Sequence, residues 1–274
     1  MPRSASAENG CPIGSQADAH GEDDLGGLRK QRKPVKTVPA LKLPFSGWLS
    51  IQVLSAMEQC GEWADCYSGE VAMPKTLDEL LDEAELAQLQ AHYGEYRQQH
   101  VRLAMEPGSL AFYRRAFKNR RGEVLFVLRR GSGEVLLHTK ESYPEDLYRL
   151  PGGGIDWGEC VRTSLFREVF EETQLDVQKE QFLGILTYEF HGHPGADQKA
   201  AIPFVSYIFV VPEVEGEPVP LDESEKISGF KWVPLEELSK VAAKLRSMAE
   251  DDFGNPDWGR FRALGHDFVV ENIG

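Results

Sequence analysis

Three glutamates, Glu168, Glu171 and Glu172, stand at i, i+3 and i+4 within GGIDWGECVRTSLFREVFEETQL, the stretch from Gly153 to Leu175. On a helix, that spacing puts all three carboxylates on one face. The pattern predicts a helix from about Cys160 to Thr173, so the carboxylates fall in its last two turns, where the helix dipole is negative. Like charges at these spacings cost roughly 0.2–0.5 kcal/mol each, and anions at a helix C-terminus lose a similar amount. A segment that breaks local rules without visible compensation marks a functional site. The natural compensation is a cation, and anionic oxygen donors suit a hard divalent ion such as Mg²⁺ or Mn²⁺. Upstream, Leu150-Pro151-Gly152-Gly153-Gly154 lets backbone approach a ligand closely, and Asp156 to Glu159 bring acidic side chains to the start of the helix.

The order Gly153, five residues, Glu159, seven residues, Arg167-Glu168-Val169, then Glu171-Glu172 and Leu175 resembles the Nudix box. One position departs, because the family has Gly where this chain has Gln174. That glycine ends the helix at positive φ, so a side chain there costs on the order of 1 kcal/mol. The resemblance implies a mixed α+β fold, a Nudix-like α/β/α sandwich around a mixed β-sheet. It also implies metal-dependent hydrolysis of the pyrophosphate bond in a nucleoside diphosphate linked to another moiety. With it come a metal set of Glu168, Glu171, Glu172 and Gly152, in which Glu168 is a further ligand or the base, and a catalytic role for Arg167. Arg167 lies four residues before Glu171, the distance of an ion pair that fixes a carboxylate. The implied substrate-binding set is Gly153, Gly154, Arg129 and Glu159. Glu159 either meets the metal through water or stabilises the helix start.

At 274 residues, with 41% hydrophobic and 27% charged residues, the chain has the composition of an ordinary soluble protein of one or two domains. A net charge of −14 opposes nucleic-acid binding and repels a polyphosphate unless cations intervene, which strengthens the case for a metal. No run approaches the roughly 18 apolar residues of a membrane span, and the first residues lack the apolar core of a signal peptide, so the expected location is cytoplasmic. Cys11, Cys60, Cys66 and Cys160 contain no C-x-x-C pair and are read as reduced, inert thiols.

Residues 1–40 are rich in Gly, Ser, Pro, Asp and Glu and end in the basic run Arg29 to Lys36, the composition of a solvated, disordered tail. Residues 41–105 are expected to form a helical extension of unknown role, with a helix opening at the capping box Thr76 to Glu79. Its leucine stripe changes face near Glu83, which means either a break there or a helix wrapped on two sides. The Nudix domain is placed at 106–250. LAFYRRAF reads as strand-like, and VLFVLRR with EVLLHTK as a hairpin about Gly131-Ser132-Gly133. FLGILTYEF, PFVSYIFVV and KISGFKWV read as further strands, Pro234 to Ala249 as a helix, and 251–274 as a tail that packs back on the body.

Secondary candidates are His191 and His193 as a base, Glu223 and Glu225 as groups reaching the cleft, and Trp157 and Tyr148 as stacking partners for a nucleobase. The cations Arg114, Arg115, Lys118, Arg120, Arg121, Arg129 and Arg130 supply phosphate ligands or balance the solvent face of the sheet. ADP-ribose or another NDP-sugar, a dinucleotide and a nucleoside triphosphate all remain open as substrate. The alternative to an enzyme is a non-catalytic nucleotide-binding sensor. An RNA 5′-end hydrolase and a homodimer are weaker expectations, and nucleic acid is disfavoured by the charge.

Overall fold

The computed structural model describes residues 76–194, 201–221, 223–249 and 255–273. The expected disordered tail over 1–40 and the apolar cluster FSGWLSIQVLSAM lie outside them.

The elements run α1 (Glu83–Tyr93), β1 (Arg97–Met105), α2 (Pro107–Ala116), β2 (Arg120–Leu128), β3 (Glu134–Lys140) and β4 (Gly152–Asp156). They continue with α3 (Val161–Thr173), β5 (Gln181–Gly192), β6 (Ile202–Val211), β7 (Ile227–Pro234), α4 (Leu238–Arg246) and α5 (Asn255–Asn272). A mixed sheet of order β1-β5-β6-β2-β4 forms the centre, with β1 parallel to β5, β6 parallel to β2, and the other pairs antiparallel. A smaller antiparallel ribbon pairs β3 with β7.

Strands β2 and β6 are buried on both faces, as their almost continuous apolar runs require. Alternation then sorts their side chains into two cores. Val124, Phe126, Val205, Tyr207 and Phe209 pack with Val161, Leu165 and Val169 of α3. Leu125, Val127, Phe204 and Ile208 pack in one cluster with Tyr113 and Phe117 and with Phe261 and Phe268 of α5. Each such side chain contributes about 1.5–3 kcal/mol on burial, so helices are held on both faces of one sheet.

The mixed α+β architecture expected from sequence is present, with four local corrections. LAFYRRAF is helical: it lies in α2, whose Pro107 sits in the first turn and whose Ser109 and Tyr113 recur on the buried face. The extension over 41–105 is not helical throughout, because Arg97–Met105 is an edge strand with its N-terminal half exposed. VLFVLRR and EVLLHTK do not make a hairpin. Both edges of β2 are taken, by β4 and β6, so beyond the single Arg129–Val135 bridge β3 turns away to pair with β7. The helix does not open at Thr76, although Glu79 N–H donates to Thr76 Oγ1 at 3.3 Å. Asp82 is the N-cap, accepting from Ala84 and Glu85 N–H at 2.9 and 3.0 Å, which is the break near Glu83 that the leucine stripe allowed.

Gln174 closes α3 at φ 54°, in the left-handed region, donating its N–H to Phe170 O at 2.9 Å. The side chain adds only an exposed hydrogen bond to Val219 O at 3.2 Å. Gln174→Gly is therefore expected to stabilise the protein by about 0.5–1 kcal/mol in urea unfolding. A loss of stability would show that the Gln174–Val219 bond outweighs the backbone term.

Candidate functional site

Helix α3 has no side-chain cap of its own at Cys160. The missing acceptor comes from α1, where Glu85 Oε1 accepts from Val161 N–H at 2.8 Å. The same carboxylate takes two bonds from Arg121 at 2.8 and 2.9 Å, and Arg121 also donates to Glu159 O. Both ends of this pair are buried, at 8% exposure each. A segment outside the box thus fixes where the box helix begins. Cys160 is disulfide-bonded, so the expectation of four reduced thiols does not hold.

Packing presses α3 against β4 so closely that a Cβ on Gly153 would lie 1.9 Å from the Glu168 carboxylate. Only glycine fits there. Arg167 then holds the acidic face together, donating to both oxygens of Glu159 at 2.8 Å, to Glu168 at 2.7 Å, to Glu171 at 3.1 Å and to Gly154 O at 2.9 Å. Burial pushes the Glu159 carboxyl up, and the hydrogen bonds and charge of Arg167 overcome that and hold it below its usual range. For Glu168 burial wins over Arg167, and the pKa rises to about 7.

Glu172 is fully buried beneath β4. Its Oε2 accepts from Gly152 N–H at 3.3 Å, and Lys140 Nζ lies 3.6 Å from Oε1, which has no hydrogen-bond partner. His138 Nδ1 is 3.5 Å away, but burial and then Arg149 and Lys140 hold that imidazole neutral, so this is a polar contact and not an ion pair. Burial raises the Glu172 pKa to about 7 against the pull of Lys140 and Arg149.

These residues fit a divalent cation. All donors are hard oxygens, one buried oxygen is unpartnered, and a metal would relieve two carboxylates whose ionisation burial disfavours. Among the described residues no three such groups are already gathered around one point, since Arg167 spans Glu168 and Glu171.

Next to this face opens a cleft of about 370 Å³, bounded by Gly152, Gly153, Gly154, Arg167 and Glu168. Cations enter from elsewhere in the chain: Arg120, Lys140, Arg149 and Arg262. Tyr143 and Trp258 add an aromatic corner, their rings 5.1 Å apart in an edge-to-face contact. Among the secondary candidates, Glu225 reaches the cleft and pairs with Lys140, and Arg120 lines it. Others do not. Arg121 is locked to Glu85, Arg130 pairs with Glu217, and Arg129 is absent from the lining. Trp157 donates to Lys118 O away from the cleft, and Tyr148 lies beside Lys231 of the ribbon. Glu223 is exposed, His193 sits 3.3 Å from Glu106, and His191 turns to Gly192 O. Lys140, Arg149, Tyr143, Trp258 and Arg262 were not legible as site residues, because long-range packing alone brings them to the box.

The NUDIX domain model matches residues 119–252, the stretch that holds the box and most of the cleft lining. An ADP-ribose pyrophosphatase from Methanocaldococcus jannaschii is 26% identical over 119 residues, 43% of this chain. This chain spans 64% of that relative's length. A MutT Nudix hydrolase from Burkholderia pseudomallei is 20% identical with a TM-score of 0.35, covering 56% of this chain and 96% of that one. The Nudix domain of Shewanella oneidensis NrtR, solved with ADP ribose, is 21% identical with a TM-score of 0.34, covering 50% and 88%. Among the described residues no helix is long and apolar enough to cross a membrane.

Two outcomes follow from the geometry. Glu85→Ala leaves the buried Arg121 charge and the Val161 N–H without their acceptor, and is expected to cost about 3–5 kcal/mol in urea unfolding. Less than about 1 kcal/mol would mean that water replaces the carboxylate. A carboxylate with a raised folded pKa stabilises below its unfolded pKa and loses that contribution as pH rises through the folded value, here from 4.5 to about 7. In chelator, Glu172→Gln is therefore expected to be roughly 2–4 kcal/mol more stable than the parent at pH 8, with the gap falling below about 1 kcal/mol at pH 5. A gap independent of pH would place the cause elsewhere.

Proposed function

We propose that this chain is a divalent-metal-dependent pyrophosphohydrolase that cleaves the phosphoanhydride of a nucleoside diphosphate linked to another moiety, with Mg²⁺ or Mn²⁺ as cofactor. The observation that carries it is the juxtaposition of the box carboxylates with a cation-lined cleft in a chain of net charge −14. The 26%-identical archaeal ADP-ribose pyrophosphatase favours ADP-ribose as the first compound to test. Dinucleotides and nucleoside triphosphates share the scissile bond and remain in the panel. The catalytic domain is taken as 106–250 and its location as the cytoplasm.

In this reading Glu168, Glu171, Glu172 and Gly152 would hold the metal, which would supply charge neutralisation at the phosphate oxygens and a lowered pKa for water. Arg167 orients Glu168 and Glu171 through its ion pairs. Glu168 serves either as a further metal ligand or as the general base for the attacking water. Gly153 and Gly154 let the diphosphate lie against backbone, and Glu159 serves through Arg167. Lys140 and Glu225 form a charged pair at the rim, and Tyr143 with Trp258 offers the aromatic surface that a base would meet.

Product release is measured from ADP-ribose, NADH, diadenosine polyphosphates and NTPs, with and without Mg²⁺. Metal-dependent turnover of at least one compound is expected, falling by at least about a hundredfold in Glu171→Gln and Glu172→Gln. Turnover that survives in both variants would remove the box from the chemistry. Tight binding of an intact nucleotide with no cleavage would make the chain a sensor.

A further inference from the structure

Charge in the cleft is not evenly neutralised. Lys140 pairs with Glu225 and lies near Glu172, Arg167 pairs with Glu159, Glu168 and Glu171, and Arg262 pairs with Glu123 at 2.7 Å. Arg120 and Arg149 also line the cleft, and neither makes an ion pair among the described residues. Arg120 lies across from Asp156 in the β2–β4 register without bonding it, its guanidinium carbon 3.1 Å from where a Gly154 Cβ would stand.

Arg149 is the more telling of the two. It is only 5% exposed, and a buried guanidinium without a carboxylate costs several kcal/mol. Its backbone is fixed by a two-way bridge to His138, at 2.9 and 3.0 Å. Its side chain donates from Nε to the Tyr143 hydroxyl and from Nη1 to Leu150 O, both at 2.8 Å. Nη2 has no hydrogen-bond partner among the described residues, and the cleft is the open space beside it. Glu172 is a carboxylate whose charge it feels, and a metal bound to Glu172 would compete for that charge.

We propose that Arg149, with Arg120, forms an anion subsite that grips a phosphoryl group of the substrate independently of the metal, and so holds the diphosphate on the far side of the scissile bond from the metal-held phosphate. The ligand class is a phosphate oxyanion, for which a preoriented guanidinium is suited. This rests on the hydrolase reading for its role, while its binding is testable without turnover.

The test titrates ADP and inorganic pyrophosphate into the full chain in chelator, by calorimetry, for the parent, Arg149→Gln, Arg149→Lys, Arg120→Gln and the control Arg102→Gln, whose cation pairs with exposed Glu189. The parent is expected to bind both probes, more weakly as salt rises. Arg149→Gln and Arg120→Gln should each weaken binding about tenfold or more, Arg149→Lys by less, and Arg102→Gln by less than twofold. Should Arg149→Gln not fold, Arg149→Lys and Arg120→Gln decide. Binding within twofold of the parent in every folded Arg149 and Arg120 variant, or none in the parent, overturns the subsite. Turnover with unchanged ADP affinity in the variants sinks the subsite alone. Arginine-dependent binding with no turnover of any compound sinks the hydrolase reading alone.

Discussion

Arg167 is the interaction on which the rest of the site depends. Without it, α3 would carry Glu168 and Glu171 side by side at its negative end, next to Glu159, with no cation among them. One guanidinium reaches all three carboxylates and the Gly154 carbonyl of β4, so it ties helix to strand while neutralising the acidic face. Its planar fork makes this feasible, since a lysine has no fixed second donor to span Glu159 and Glu168 together. The arrangement also explains how the carboxylates can lie so close together. Glu172 escapes this arrangement. It lies on the buried side of the helix, facing Lys140 and neutral His138, and burial outweighs the pull of Lys140 and Arg149 on its proton.

Elements outside the matched region support the site and complete one wall of the cleft. Strand β1 extends the central sheet from before the matched region, Glu85 of α1 caps the box helix, and α5, after it, contributes Trp258 and Arg262 to the cleft wall. These flanking elements are part of the same cores: Phe261 and Phe268 of α5 sit in the layer that covers β2 and β6 opposite α3. The flanking helix α5 thus adds one cation and one aromatic ring to a cleft otherwise lined from within the matched region.

What the sequence disclosed followed how local the determinant was. The box helix was legible to within a residue, from Val161 to Thr173, because the carboxylate spacing and the motif around it are contained in one stretch, and it ends on time despite Gln174. Strands β5, β6 and β7 were legible from apolar runs. LAFYRRAF misled because its aromatics satisfy strand propensity, while the decisive signal, Pro107 in the first turn, was one residue type at one position. RQQHVRLAM misled in the other direction, since an edge strand with one exposed half carries no apolar alternation. The false hairpin had sound local chemistry at Gly131 to Gly133 and failed on topology, as β2 had no free edge.

The site residues missed by sequence share a cause. Arg149, Lys140 and Arg262 have nothing unusual as letters in an acidic chain; each becomes informative only through what packs around it. A surface arginine needs no partner, whereas Arg149 at 5% exposure needs one. The two halves of the site are complementary in that respect. The box presents carboxylates whose ionisation is disfavoured until a cation arrives, and the cleft wall presents guanidinium charge that lacks an anion. On the proposed reading, a divalent cation and a diphosphate would answer both deficits at once, the cation at the glutamates and the phosphate oxygens at the arginines, and a neutral ligand would answer neither.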